Sequence, residues 1–213
     1  MTLLTKVVPP NLPIAKDEFT RLDEEYFRNV LRLYFNQLSQ LLNNVAGGIG
    51  GRYLQFPYAA IQRTTDVSFT ANTATQITFD QNDYLSGCAN DGTDGIEVSY
   101  EGIYNYQFSV QLRNADTQIH SAWIWLRKNG TDVSGTGSKF DVTSSHGGID
   151  GFVIAACNFF VDLAAGDTIE MWAAVSDTHI TFDAAAAATS PFAMPAIPSV
   201  VATLSFVSTP PVA

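Results

Sequence analysis

One stretch constrains the fold of this chain more than any other. Between residues 104 and 113, apolar and polar side chains alternate through five consecutive pairs. The apolar members are Tyr104, Tyr106, Phe108, Val110 and Leu112. A period of two places one set of side chains in a core and the other in water, which predicts a half-buried β-strand.

The rest of the chain beyond residue 52 continues in the same way. Apolar runs at 122–126 and 152–163 are each closed by a turn signal that contains glycine, and shorter runs surround them. Many short strands without helices predict a mainly β, antiparallel sandwich or jelly roll. We therefore predict a jelly-roll domain at 52–207, which includes a long loop at 178–199, and a tail at 208–213.

A helix is predicted at 17–45, with Asp17 as its cap. Apolar residues recur in it at alternating steps of four and three, which is a heptad seam. The seam residues are Phe27, Leu31, Tyr34, Leu38, Leu41 and Val45. A second apolar stripe adjoins the seam, so the helix packs either on its own β-domain or against copies of itself. The glycine-rich hinge predicted at 46–51 favours the bundle.

The first sixteen residues are predicted to form an extended arm. Pro9, Pro10 and Pro13 exclude a regular helix, and the segment is too apolar for a tail that stays in water. The residues expected to anchor it to a larger particle are Leu3, Leu4, Val7, Val8, Leu12 and Ile14. The alternative is an ordinary disordered terminus.

The charge is unevenly distributed. The net charge is −10; residues 1–50 hold five basic and five acidic residues, whereas the remainder holds six basic and sixteen acidic residues. Such a surface repels nucleic acid, so no nucleic-acid partner is expected. No apolar run is long enough for a membrane span. The apolar stretch at the start of the sequence is too short for a signal peptide. We expect no membrane partner and no export.

No arrangement typical of a reaction centre is present. His120, His146 and His179 lack a second ligand at metal-site spacing. The acidic segment at 80–97 does not match a calcium loop and is predicted to be a solvated loop. We therefore expect no catalytic residues, no metal and no cofactor. A polysaccharide-degrading enzyme, which would need a pair of carboxylates in a cleft, is kept as a third hypothesis.

Three segments of the β-region resemble one known family. Residues 98–106 read VSYEGIYNY, residues 126–130 read LRKNG, and residues 163–171 read LAAGDTIEM. Their order and spacing are similar to those of complement C1q globular heads and tumour-necrosis-factor-like domains. The resemblance covers about residues 52–207 and implies a jelly roll that assembles as a tight homotrimer.

A trimer would account for the strands at 122–126 and 152–160, which carry apolar side chains on both faces. The alternative is that loops of a monomer cover the second face. The residues expected in the jelly-roll core or the trimer interface are Tyr104, Tyr106, Phe108, Trp123, Trp125, Phe159, Phe160, Leu204 and Phe206.

A second resemblance concerns the helix, whose residues 26–38 read YFRNVLRLYFNQL. This segment resembles structural proteins of tailed bacteriophages, and residues 195–200, PAIPSV, are similar to phage versions of the jelly roll. The resemblance implies a non-enzymatic virion protein that is assembled in the host cytoplasm. The expected role is a capsid decoration, cement or head-fibre trimer bound to the major capsid protein or another virion protein. The alternative is a short tail fibre or adhesin whose jelly-roll tip binds a host surface glycan.

Overall fold

The structure, a computed structural model, describes residues 8–12, 18, 20–46, 56–90 and 95–209. The chain divides into two units, Met1–Gln55 and Phe56–Ala213. The glycine-rich hinge predicted at 46–51 lies outside the described residues except for Ala46, which is helical.

The first unit contains one helix, α1, at Arg21–Ala46. Thr20 is its N-cap: the backbone N–H of Asp23 donates to Thr20 Oγ1 at 3.3 Å, and the backbone N–H of Thr20 donates to Asp23 Oδ2 at 3.2 Å. This reciprocal capping box satisfies two donors at the helix terminus. The helix therefore begins at Arg21 rather than at the predicted residue 17, and Asp17 lies outside the described residues.

The second unit is built from strands alone, as far as the structure describes it. They are β1 (Tyr58–Arg63), β2 (Val67–Ser68), β3 (Thr75–Ile77), β4 (Gln81–Ser86), β5 (Cys88–Ala89), β6 (Ile96–Val98), β7 (Gly102–Asn114), β8 (His120–Lys128), β9 (Thr131–Asp132), β10 (Ser138–Val142), β11 (Gly151–Leu163), β12 (Thr168–Val175), β13 (Ile180–Phe182) and β14 (Val200–Ser208).

These strands form two antiparallel sheets. In sheet A the order is β4–β1–β14–β7–β11. The edge of β7 that pairs with β14 also pairs, near its end, with the short strand β13, and β13 pairs with β2. In sheet B the order is β10–β8–β12, with β9 on β8, and with β3 and the β6–β5 pair on the far edge of β12. The long strands alternate between sheets along the chain, since β7, β11 and β14 lie in sheet A and β8 and β12 in sheet B. This path is that of a jelly roll, and the predicted fold class is confirmed.

The core lies between the two sheets. The inward residues of β7, from Tyr104 to Leu112, are buried, and those of β8 (Ala122, Ile124, Leu126) and β12 (Ile169, Met171) belong to the same cluster. The alternation that predicted β7 is therefore the alternation between core and outer face. Apolar burial of this extent is the main force that holds two sheets together.

Three strands lie where the sequence predicted loops. Strands β4 and β5 occupy part of the acidic segment, and β13 lies inside the predicted loop at 178–199. Among the described strands, β4 pairs only with β1. Most of its side chains are exposed on both faces, so its sequence has no alternation of apolar and polar residues. After β13 the chain makes an excursion closed by the backbone pairs Ala185–Ile197 and Ala188–Met194 before it enters β14.

Gly151, the first residue of β11, tests how closely the two edges of the sandwich pack. A Cβ atom at this position would overlap the carbonyl oxygen of Thr143. We expect Gly151→Ala to lower the free energy of unfolding by about 2 kcal/mol, because the backbone must move to make room.

Gly137→Ala is the matched control. Gly137 is exposed, its φ is not in the left-handed region, and nothing lies within 4 Å of its ideal Cβ position. Its effect is expected to stay within about 0.5 kcal/mol. Urea unfolding followed by circular dichroism measures both variants. Equal unfolding midpoints for Gly151→Ala and the wild type would contradict the close approach to Thr143.

Candidate functional site

The outward face of sheet A carries no charged side chain over most of its width. Residues directly opposite in an antiparallel pair point to the same side, so the register identifies the members of this face. We call it the uncharged face; its residues are Tyr58, Ala60, Gln62, Tyr84, Asn105, Gln107, Ser109, Gln111, Ile154, Ala156, Asn158, Phe160, Val201, Thr203 and Ser205.

Several large apolar residues on the uncharged face are exposed. Tyr84 is 69% exposed, and Ile154 and Phe160 on β11 are each 65% exposed. Tyr58 on β1 is exposed on the same face. Soluble monomers rarely display several such residues together, so a face of this composition is typical of a protein–protein interface.

Charge appears around this face: Asp162 follows Phe160 at one end of β11, and Asp83 accepts a hydrogen bond from Gln62. Arg113, near the end of β7, donates from Nε to Asp150 Oδ2 at 2.6 Å and from Nη1 to Asp183 Oδ1 at 3.2 Å. The hydrogen bond to Asp150, with that to Asp183, raises the pKa of Arg113. The cation is therefore neutralised within the chain. Beside it, a cleft lined mainly by apolar residues such as Phe152, Ile154 and Ile197 separates β11 from the excursion after β13.

The outward face of sheet B is different, because it combines aromatic with charged side chains. Trp123 and Trp125 on β8 point outward, since Ala122, Ile124 and Leu126 between and beside them are fully buried. Arg127 approaches the Trp125 ring, and Lys139 Nζ lies 6.0 Å from the centroid of Trp123. Cationic side chains of the same chain therefore lie beside the outward tryptophans of β8. A subunit interface is not needed to explain why this strand has two apolar faces.

The other residues predicted for the core or the trimer interface separate into two groups. Tyr104, Tyr106, Phe108 and Leu204 lie in the core, and Phe159 and Phe206 pack against it while half-buried. Phe160 lies on the uncharged face. The hydroxyl of Tyr104 donates to the carbonyl oxygen of Tyr100 at 2.7 Å, and burial raises its pKa to about 12.

The seam of α1 is at most half-buried in the structure. Phe27, Leu31, Tyr34, Leu38 and Leu41 are half-buried, and Val45 is exposed. No side chain described in α1 is buried, and the adjoining stripe at Leu22, Tyr26 and Leu33 is exposed. Among the described residues, no helix combines the length and apolarity that a bilayer span requires.

The predicted anchor is described only in part. Val8 and Leu12 are exposed. Leu3, Leu4, Val7 and Ile14 lie outside the described residues, so the structure does not bear on the extended arm at these positions.

The residues that could carry chemistry are engaged in local contacts. The rings of His120 and His179 stack with their centroids 6.5 Å apart, and each lies beside its own carboxylate, Asp116 at 2.7 Å and Asp177 at 2.6 Å. The hydrogen bond with Asp177 raises the pKa of His179. No group of three or more metal-ligating side chains occurs in the described part of the chain.

The described part of the acidic segment and the two cysteines give no reactive arrangement either. Asp80 accepts from the backbone N–H of Thr64 at 2.8 Å, and Asp83 accepts from Gln81 Nε2 at 2.7 Å. Cys88 and Cys157 form no disulfide. Burial raises the pKa of Cys88 to about 11, which keeps its thiol protonated and weakly nucleophilic at neutral pH.

Comparison with known proteins gives a likeness in fold and nothing more. No protein-family model matches the chain, and no curated protein matches it. The structure is similar to that of Eiger TNF from S. frugiperda, with a TM-score of 0.47 and 13% sequence identity, over 75% of this chain and 97% of that chain. The sandwich topology stands on the strand pairing of the chain itself, and at this identity and TM-score the likeness carries no information on function.

Proposed function

We propose that this protein is a non-enzymatic structural protein that assembles as a homotrimer through its uncharged face, with α1 as the stem of the trimer. The observation that carries the proposal is the composition of that face. Its members include no charged side chain, and they leave Ile154, Phe160 and Tyr84 exposed; the charged residues of this sheet face, such as Asp162 and Arg113, lie at its ends. Burial of each such apolar side chain contributes about 1.5–3 kcal/mol, so a subunit contact here is strongly favoured.

The polar members of the uncharged face support the same proposal. They are amides and hydroxyls, which can form hydrogen bonds across an interface without the desolvation cost of a charge. Asn105 is the clearest case, because its Oδ1 atom is buried and accepts no hydrogen bond from any described residue. An unsatisfied buried acceptor costs about 1–3 kcal/mol, and a rotation of the Asn105 side chain toward a donor on a neighbouring subunit would remove that cost.

The threefold symmetry and the placement in a virion rest on sequence resemblance. The segments at 98–106, 126–130 and 163–171 resemble trimeric C1q and tumour-necrosis-factor-like domains, and the sequence of α1 resembles tailed-phage structural proteins. We place the trimer on a phage capsid as a decoration, cement or head-fibre protein, held by residues 1–16 on the major capsid protein or another virion protein. Three anchors on one trimer act at high effective concentration, so each can be weak.

The first test changes the uncharged face. Ile154→Glu and Phe160→Glu each place three carboxylates in the interface of the trimer, which must then be desolvated or kept apart. Light scattering of the full chain is expected to show a trimer for the wild type and a monomer for either variant. A monomeric wild type would refute the proposal.

Ile119→Glu is the control for this test. Ile119 has the same side chain and is 66% exposed, but it lies in the connection between β7 and β8, outside the uncharged face. The control is expected to remain a trimer. Dissociation of the Ile119 variant as well would show that any added charge disrupts assembly. This result would contradict the assignment of the trimer interface to the uncharged face.

The second test concerns the stem. Leu31→Asp and Leu38→Asp place charges in the seam of α1, whereas Asn36→Asp adds one at an exposed polar position away from the seam. The seam variants are expected to raise the concentration at which half of the trimer dissociates by at least roughly tenfold, about 1.4 kcal/mol. Analytical ultracentrifugation measures this shift. If all three variants dissociate alike, α1 is not the stem.

The third test concerns the anchor. Deletion of residues 1–16 is expected to abolish co-sedimentation with shells of the major capsid protein while the trimer and its β-sheet signal persist. Deletion of residues 210–213, in the predicted tail, is the control and is expected to leave binding unchanged. If the first deletion instead unfolds the protein, the arm belongs to the fold and not to an attachment site.

A further inference from the structure

All three tryptophans of the chain lie on one surface, the outward face of sheet B. Trp123 and Trp125 are two residues apart on β8, and Trp172 on β12 lies directly opposite Trp125. We call the group formed by Trp123, Trp125, Arg127, Lys139 and Trp172 the tryptophan face. Its members point away from the core, because Ile124 and Met171 between them are fully buried.

Two of the indoles are held rigidly. The Arg127 guanidinium lies 3.9 Å from the centroid of the Trp172 ring, and Arg127 Nε donates to Asp132 Oδ1 at 2.6 Å. Trp125 Nε1 donates to the same carboxylate oxygen at 2.8 Å, and Trp172 Nε1 donates to Glu170 Oε2 at 2.7 Å. Both ring N–H groups are therefore satisfied, and the guanidinium covers Trp172 through a cation–π contact. Trp125 and Trp172 therefore form the rigid part of the tryptophan face.

Trp123 is different, because its ring is available. It is the most exposed of the three, at 38%; its partner on β12 is the small Ala174, and its partner on β10 is Lys139. Its Nε1 donates no hydrogen bond to any residue that the structure describes. An exposed indole with an unused donor, next to a rigid support, is pre-organised to receive a flat ligand.

Polar groups surround this indole on its other side. Lys139 Nζ lies 2.9 Å from Asp141 Oδ1, and Asp141 also accepts a hydrogen bond from Ser121 Oγ at 2.6 Å. The hydrogen bonds from Ser121 and Lys139 lower the pKa of Asp141, so its carboxylate remains charged. Trp123 is thus bordered by an ammonium group, a carboxylate and a hydroxyl.

We propose that the tryptophan face binds neutral saccharides, with Trp123 as the platform for a pyranose ring. The C–H groups on one face of a pyranose carry partial positive charge and are attracted to the negative face of an indole. The hydroxyls at the edge of the sugar form charge-assisted hydrogen bonds with Lys139 and Asp141 and replace the water around that pair. An apolar protein surface would instead remove the water around Lys139 and Asp141 without replacing its hydrogen bonds. The attraction between the two charges does not offset this desolvation free energy.

The charge of the face selects among saccharides. Asp132, Asp141 and Glu170 outnumber Arg127 and Lys139, and the chain beyond residue 50 holds sixteen acidic against six basic residues. This field repels acidic sugars. The site goes beyond the assembly role and does not depend on it, because the tryptophan face and the uncharged face lie on opposite sides of the sandwich.

Intrinsic fluorescence is a direct probe, because every tryptophan of the chain lies on this face. The full chain would be titrated with trisaccharides of glucose, mannose, galactose and N-acetylglucosamine, and with trigalacturonic acid as the acidic comparison. At least one neutral trisaccharide is expected to change the emission saturably below about 10 mM, a weak but specific affinity. Trigalacturonic acid is expected to cause no change. A response to none of the neutral sugars, or only to the acidic one, overturns the proposal.

Variants then locate the site, with calorimetry as a readout that does not depend on the missing indole. Trp123→Ala is expected to weaken binding by at least roughly tenfold, the loss of one stacking contact, and Trp123→Phe by less. Ile149→Ala, at a 73% exposed position in the connection between β10 and β11 and outside both named faces, is expected to bind as the wild type does. If Trp123→Ala does not fold by circular dichroism, Lys139→Ala takes its place with a several-fold loss expected. Equal binding by the wild type and a folded site variant overturns the assignment.

Discussion

The β-unit depends on the pairing of one strand, β7. One of its edges pairs with β11 from Gly102 to Asn114, and the other pairs first with β14 and then with β13. Its side chains have a period of two, so the register that buries Tyr104 and Tyr106 also turns Asn105 and Gln107 outward. A shift of one residue would place amides in the core and tyrosines in water, which makes the register strongly specified. The core and the uncharged face are therefore two consequences of one alternation.

Local signals explain why part of this fold could be predicted. The alternation identifies β7, and the Asn129-Gly130 pair identifies the hairpin after β8, because both residues adopt positive φ, 49° and 76°. Strands β4 and β13 give no such signal. The first carries Tyr84 and Leu85 on opposite faces without an alternating pattern, and the second has three residues, so each exists because a longer strand offers it an edge. α1 begins at Arg21 rather than at Asp17 because Thr20 and Asp23 form a reciprocal capping pair, in which each side chain accepts from the other's backbone N–H.

The candidate sites could be predicted less well than the fold. The sequence shows that Trp123, Trp125 and Phe160 lie on strands with two apolar faces, but it does not show what lies above them. Phe160 belongs to sheet A, where its neighbours in register are uncharged. Trp125 belongs to sheet B, where Arg127 and Asp132 come together with it through a hairpin and a strand pair. These differences arise from the pairing between strands, which a pattern within one strand does not contain.

The two outer faces of the sandwich differ in the free-energy cost of burying them. On the uncharged face, contact with another subunit removes apolar area from water and leaves only amides and hydroxyls to be satisfied. On the tryptophan face, the same contact would desolvate the Arg127–Asp132 and Lys139–Asp141 pairs, whose attraction in water is already modest. A hydrated ligand with its own hydroxyls avoids that cost. The desolvation of charge therefore decides the use of both sides. Its low cost on the uncharged face permits assembly there, and its high cost on the tryptophan face leaves that side open to a small polar ligand.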